Sequence, residues 1–248
     1  MRVLAHLSDL HFGRVDAAVL EPLRRRLAAL APDVVAISGD LTQRARSGQF
    51  REARAFLDTL PRPQVIVPGN HDVPLYNVFA RFLRPFARYR GLIGDELEPC
   101  FVDDEIAVLG VNTARSLAFK GGRVSDRQLA RTEERLRGLD SRLTRIVVMH
   151  HPVPGVENVP RVDVVLTGHL HASASTSGSP ALLVQAGTAT SLRTRAEANA
   201  FNLLRVMPRR IVVEHYELRG ADFVSAGSET FVREGGAWKP DAGRQKAA

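Results

Sequence analysis

Aspartate, histidine and asparagine gather in five short stretches of this chain and offer the donor set of a two-metal site. The stretches are Asp9-Leu10-His11, Gly39-Asp40, Gly69-Asn70-His71-Asp72, His150-His151 and Gly168-His169-Leu170-His171. Six of the eight histidines lie in them, with only His6 and His215 elsewhere. Histidines spread as core or surface residues would not concentrate in this way. Metal-dependent hydrolysis requires charge neutralisation at the bond attacked and a hydroxide at neutral pH. Two ions about 3.5–4 Å apart do both, by sharply lowering the pKa of a bridging water. Imidazole, carboxylate and amide donors without a ligating thiolate suit Mn, Fe, Zn or Co and carry no strong preference for a soft metal. A carboxylate that bridges two ions must come from a tight turn, and Asp40 behind Gly39 is suited to that.

Each stretch follows an apolar run of strand character, so all five can converge at one end of a sheet. Val3 to Leu7 reads as a buried strand ending at Asp9, Val34 to Ile37 delivers Asp40, and Val65 to Val67 enters Gly69-Asn70-His71. Between them lie two helical patterns. Leu20, Leu23, Leu27 and Leu30 share one face, with Pro22 suited to a first turn and a regular helix expected from near Leu20. Phe50, Ala53, Leu57 and Leu60 repeat that spacing. The strand–helix–strand rhythm predicts parallel βαβ units, whose ligands gather beyond the carboxyl ends of the strands.

The second half changes character. Cys100 to Asp103 and Ile106 to Val111 predict a hairpin turning at Asp104-Glu105, and Ser125 caps a helix running to Leu139. Ile146 to Met149 and Val162 to Leu166 are strands feeding the two later histidine stretches, and three antiparallel strands are expected over Ala181–Gln185, Phe201–Val206 and Ile211–Leu218. Residues 1–220 form the expected domain. Residues 221–248, rich in Gly, Ser, Lys and Arg, are expected as a frayed, partly disordered extension.

The stretches SDLH, SGDLT, PGNHD, MHHP and TGHLH stand in the order and at the spacings of the calcineurin-like metallophosphoesterase superfamily, which the chain resembles over residues 1–206. The resemblance implies a four-layer αββα sandwich of two mixed sheets flanked by helices, with a dinuclear metal site at the C-terminal ends of the strands. It implies Asp9, His11, Asp40 and His171 on the first metal and Asp40, Asn70, His150 and His169 on the second. It makes His71 the catalytic residue, touching the scissile phosphate and assisting the leaving oxygen. Asp72 is expected either to hold the His71 imidazole in one tautomer or to cap backbone in its own turn. His151, before Pro152, is expected to orient a neighbouring loop or to meet substrate.

Composition narrows the rest. A chain of 248 residues with 44% hydrophobic and 25% charged residues fits one soluble α/β domain. The single cysteine excludes an internal disulfide and is read as a small buried side chain at a strand start. The net charge of +7 comes from 31 Arg and 3 Lys dispersed along the chain, which favours a small anionic phosphoester without selecting one. With no signal-like or membrane-spanning run, a cytoplasmic location is expected.

Two segments are candidates for specificity. Arg193 and Arg195 lie on the small-residue stretch after Gly187, where guanidinium groups can meet phosphate or pair with Glu197. Tyr76 to Leu92 interleaves aromatic and apolar residues with Arg81, Arg84, Arg88 and Arg90, and reads as a lid, a basic lipid-facing surface or core packing. The overall shape, with Gly121-Gly122-Arg123-Val124-Ser125 opening a helix, is similar to the bacterial cyclic-nucleotide and glycerophosphodiester phosphodiesterase branch. The alternative is a peripheral membrane hydrolase of a lipid-linked pyrophosphate, such as a lipid A precursor. Nucleic acid is a poor fit, since repair nucleases of this superfamily carry extra domains, and non-enzymatic scaffold relatives lack the histidines retained here.

Overall fold

The computed structural model describes residues 1–116, 121–177, 180–191 and 198–241. In chain order the elements are β1 (Arg2–Leu7), α1 (Ala17–Leu30), β2 (Val34–Ile37), α2 (Ser47–Leu57), β3 (Gln64–Ile66), α3 (Val78–Leu83), α4 (Ala87–Leu92), β4 (Cys100–Val102), β5 (Ile106–Gly110) and α5 (Asp126–Arg137). They continue with β6 (Thr144–Val148), β7 (Val164–Thr167), β8 (Ala174–Thr176), β9 (Leu182–Gln185), β10 (Ala200–Met207), β11 (Arg210–Arg219), β12 (Asp222–Glu234) and β13 (Ala237–Pro240).

The strands form two mixed sheets, one ordered β13-β12-β11-β10-β1-β2-β3 and the other β4-β5-β6-β7-β9-β8. Alternation along each strand divides its side chains between two cores. Leu4, Val34, Ala36 and Val65 of the first sheet meet Ile106, Val108, Ile146, Val148, Val164 and Leu166 of the second. The opposite faces are covered by helices. Ala5, Leu7, Val35 and Ile37 pack with Val19, Leu23, Leu27, Phe50, Ala53 and Tyr89 from α1, α2 and α4. Ala107, Leu109 and Val147 pack with Leu136 of α5. The layers are therefore helix, sheet, sheet, helix, as the sequence resemblance implied. Strands buried on both faces explain why β1, β2, β6 and β7 read as largely apolar runs.

Several expectations need correction. The Asp16 carboxylate accepts from Ala18 N–H at 3.0 Å and starts α1 at Ala17, leaving Pro22 inside the helix and not in its first turn. β9 pairs in parallel with β7 and antiparallel only with β8, because it belongs to the second sheet and not to the β10–β11 ribbon. Cys100 is exposed. It lies on β4, an edge strand whose alternate residues Cys100 and Val102 face outward while Phe101 packs toward the core.

The expected frayed extension is, through Pro240, two strands that complete the first sheet. β12 pairs with β11 from Asp222 to Val232, and Gly235 and Gly236, both at positive φ, turn the chain into β13. Phe223, Phe231 and Trp238 are buried, and these three apolar anchors were masked by the polar residues between them. Residues 242–248 lie outside the described residues. Among the described residues no helix is long and apolar enough to cross a membrane.

Candidate metal centre

The carboxyl ends of β1, β2, β3, β6 and β7 open into the five stretches, and their loops are laced together by backbone bonds. Asp9 N–H donates to Gly39 O at 3.1 Å, His11 N–H to Asp40 O at 2.9 Å, and Gly168 N–H to His150 O at 3.0 Å. The turns are sharp. Asp9, His11, Asp40, His169 and His171 all have φ between 50° and 72°, a region non-glycine residues seldom occupy. Such backbone costs about 1–3 kcal/mol per residue and persists only where its surroundings over-determine it. Five such residues at one end of two sheets mark the place where the fold holds side chains against local preference.

Close approach has a second requirement. A Cβ on Gly69 would lie 2.1 Å from Asp40 Oδ1, so only glycine leaves room for that carboxylate. Gly39, at φ +92°, provides the turn before it.

The side chains of these stretches converge. Asp9 Oδ1 lies 3.4 Å from His11 Nε2 and 3.2 Å from His171 Nε2. Asp40 Oδ2 lies 3.9 Å from His11 Nε2 and 3.4 Å from His150 Nε2, so it faces both groups. Asn70 Oδ1 is 3.1 Å from His150 Nε2. His169 joins through its ring, 5.1 Å from that of His150 between centroids. The remaining carboxylate oxygens are occupied: Asp9 Oδ2 accepts from Ser8 Oγ–H and His169 N–H, and Asp40 Oδ1 accepts from His71 N–H. Each carboxylate thus turns one oxygen to the protein and one to the shared space.

That space fits divalent cations. Asp9 Oδ1 and His11 Nε2 are buried and make no hydrogen bond, a costly state for polar atoms unless a ligand completes them. Ligands about 2.0–2.2 Å from a common ion lie about 3–3.5 Å apart, which is the spacing seen here. Asp9–His11–His171 and Asp9–Asp40–His150 each bring donor atoms within 4.8 Å of one another. His150 donates Nδ1–H to Ser38 O at 2.7 Å, which leaves Nε2 as its inward atom.

Electrostatics agree. Burial alone would raise the carboxyl of Asp9, but the His11 and His171 imidazoles outweigh it and hold Asp9 well below the usual range. Asp40 is likewise held down by His150 against its own burial. Burial lowers His150, yet the neighbouring Asp40 charge overrides this and lifts it to about 9. The two buried carboxylates therefore favour positive charge in the space that His150 Nε2 faces. His169, desolvated and then repelled by His150, falls to about 4.

His71 stands apart from the buried set, its side chain 22% exposed where those of His11 and His150 are 0%. Its Nδ1 donates to Gln43 O at 2.9 Å, and its Nε2 lies 4.0 Å from Asp40 Oδ2. Gln43, not Asp72, therefore orients the imidazole, and the sequence carried no signal for it because the accepting group is a backbone carbonyl. Asp72 instead accepts from Leu41 N–H, Thr42 N–H, Thr42 Oγ1–H and Gly69 N–H at 2.9–3.1 Å. It fastens the Asp40 turn to the Asn70 turn, the second of the two roles expected for it. Burial, then the Asp40 charge, push its carboxyl up to about 6 against those donors.

His151 is also brought to the centre, its ring 4.6 Å from those of His150 and His169. Thr113 Oγ1 lies 2.9 Å from its Nδ1, and a Cβ on Gly122 would collide with its side chain, so His151 meets the segments after β5. Burial, followed by repulsion from His150 and His169, depresses it to about 2. Thr113 and Ser38 were not foreseen. Arg193 and Arg195 lie outside the described residues.

Asp72→Ala tests the fastening role. Three buried backbone donors would lose their acceptor at about 1–3 kcal/mol each, so unfolding free energy should fall by about 3 kcal/mol or more. Denaturant titration reads this directly. A change below about 1 kcal/mol would mean that water replaces the carboxylate and the fastening is dispensable.

Comparison with known proteins agrees with this geometry. The profile of the calcineurin-like phosphoesterase family matches residues 2–173, and the chain belongs to that family. It is 28% identical over 168 residues to the glycerophosphodiester phosphodiesterase GpdQ of Enterobacter lignolyticus (strain SCF1), a match spanning 61% of this chain and 58% of that relative. Among solved structures, purple acid phosphatase PPD1 from yellow lupin shares the fold with a TM-score of 0.66 at 13% identity, over 94% of this chain and 54% of the other. Vps29 of Chaetomium thermophilum does so with a TM-score of 0.56 at 14% identity, over 94% and 98%.

Proposed function

We propose that the chain is a binuclear metal-dependent phosphodiesterase of small diesters, of the cyclic-nucleotide or glycerophosphodiester class. The observation that carries the reading is Asp40 Oδ2, which faces His11 on one side and His150 on the other while His71 stands over it at the opening. Asp9, His11, Asp40 and His171 would hold one ion and Asp40, Asn70, His150 and His169 the other. Ions bound there supply charge neutralisation at the phosphoryl oxygens and a hydroxide at neutral pH.

The chain's own residues complete the chemistry. As the imidazolium, His71 donates from both nitrogens, Nδ1 to the Gln43 carbonyl and Nε2 outward to the leaving ester oxygen as its bond to phosphorus breaks. Positioned general acids of this kind contribute about 10²–10⁴-fold. The bond to the Gln43 carbonyl fixes the direction of the ring, and its partial exposure lets substrate reach it. The similarity to a glycerophosphodiester phosphodiesterase supports a diester over a monoester.

A matrix of Mn, Fe, Zn and Co against bis-p-nitrophenyl phosphate, p-nitrophenyl phosphate, cyclic AMP and a lipid pyrophosphate tests the reading. Diester turnover is expected, and a monoester-only profile would overturn it. Exhaustive chelation should abolish turnover, and readdition should restore it. Each ion at about 100 times its dissociation constant should also stabilise the fold by about 2.7 kcal/mol, visible as a higher melting temperature. A lipid-linked pyrophosphate is the second reading, favoured by the apolar side chains exposed on α3. Turnover confined to micellar substrate would select it.

A further inference from the structure

Helix α3 is inverted relative to a water-facing surface helix. Its charged residue, Arg81, is 2% exposed, whereas Phe79 is 80%, Leu83 76%, Val78 59% and Phe82 51% exposed. Tyr76, just before it, is 74% exposed. Apolar side chains scattered singly on a surface need no explanation, but a contiguous exposed group facing away from its own buried guanidinium does.

The inversion is built and not frayed. Arg81 donates from Nε to Ser116 O at 2.5 Å and from Nη1 to Pro74 O at 2.9 Å. Asn77 Oδ1 accepts from Ala80 N–H at 2.9 Å and caps the helix. The Arg44 guanidinium lies 5.6 Å from the centre of the Tyr76 ring. These contacts tie the outward face to the segments beside the candidate centre, since Pro74 follows Asp72 and Arg44 follows the Gln43 that holds His71.

The surrounding charge identifies what would cover this face. No carboxylate occurs between Asp72 and Asp95, a run that carries Arg81, Arg84, Arg88 and Arg90. The last three are exposed. Arg88 and Arg90 donate to the Ala45 and Asp95 carbonyls and keep their charge. An apolar protein surface would cover the aromatic side chains alone, whereas an anionic lipid surface covers these and attracts the guanidinium charges together. We infer that α3 and the arginines after it dock the protein on an anionic bilayer, inserting Phe79, Phe82 and Leu83 below the headgroups with the mouth of the centre beside them. This docking stands whatever ester the centre hydrolyses.

Cosedimentation of the full chain with vesicles tests it, comparing pure phosphatidylcholine with a phosphatidylglycerol mixture. Binding is expected only with phosphatidylglycerol, and it should weaken as salt rises. Phe79→Ser with Phe82→Ser should reduce it about tenfold or more, since both side chains leave a buried apolar site. Both residues are exposed, so circular dichroism and the melting temperature of the double variant should match the parent. Arg84→Glu should also weaken binding. No binding to anionic vesicles, or binding that the double variant leaves intact, would overturn the inference. So would a parent dimer that the double variant renders monomeric, because α3 would then be covered by a second copy.

Discussion

Asp40→Asn should strip the protein of both ions together and leave almost no turnover. The substitution keeps size and shape and removes the negative charge. Asp40 Oδ1 is committed to His71 N–H, so the single outward oxygen, Oδ2, faces His11 and His150 at once. An amide would offer that space either a neutral oxygen or an N–H, and neither compensates two cations in a buried site. The loss should therefore exceed the about 10²–10⁴-fold expected for removal of a general acid alone. Elemental analysis of the purified variant is the decisive measurement. Two tightly held ions with activity near the parent's would overturn the bridging role. One ion retained would mean that Asp40 belongs to a single site.

The backbone around Asp40 sharpens that expectation. Its φ of 52° and the absence of a side chain on Gly69 are both needed to bring the carboxylate into place. Asp40→Asn keeps that strain but gives up the ionised partner of His150, so the variant should lose stability in the ion-free state. Denaturant unfolding of parent and variant, both ion-free, compares them directly.

The polar stretches were legible in the sequence because each is an interruption of an apolar strand. A strand buried on both faces seldom admits a charged or metal-binding side chain, and His6 of β1 is accommodated against Ser38 Oγ, so the first aspartate or histidine after Leu7, Ile37 or Val148 marks where the strand leaves the core. That rule brings Asp9, Asp40 and His150 to one edge. It could not disclose the orienting groups, because Gln43 and Ser38 act on His71 and His150 through backbone carbonyls, which every residue possesses. β12 was hidden for another reason. Ser225 to Glu229 are all exposed and look like a loop, and the flanking Phe223 and Phe231 enter different cores because a bulge opposite His215 and Tyr216 shifts the alternation between them. Cys100 was misplaced because edge position is a property of the sheet and leaves no mark on the strand itself.

His71→Ala should retain both ions and still lose about 10²-fold or more in kcat. Retention follows from geometry, since His71 Nε2 lies 4.0 Å from Asp40 Oδ2 and its Nδ1 is engaged with Gln43, outside the buried donor set. The loss should depend on the leaving group. Where p-nitrophenolate departs, little protonation is needed and the defect should shrink. Where a ribose or glycerol hydroxyl departs, the alkoxide is a poor leaving group and the defect should grow. His150→Ala provides the contrast, emptying the second ion and impairing all substrates alike. The variant's kcat should be compared on bis-p-nitrophenyl phosphate and cyclic AMP, with ion content measured on the same samples. Equal losses on both substrates would reduce His71 to a phosphate-binding residue. An ion lost from His71→Ala would place it among the ligands, and the proton would then have to come from elsewhere.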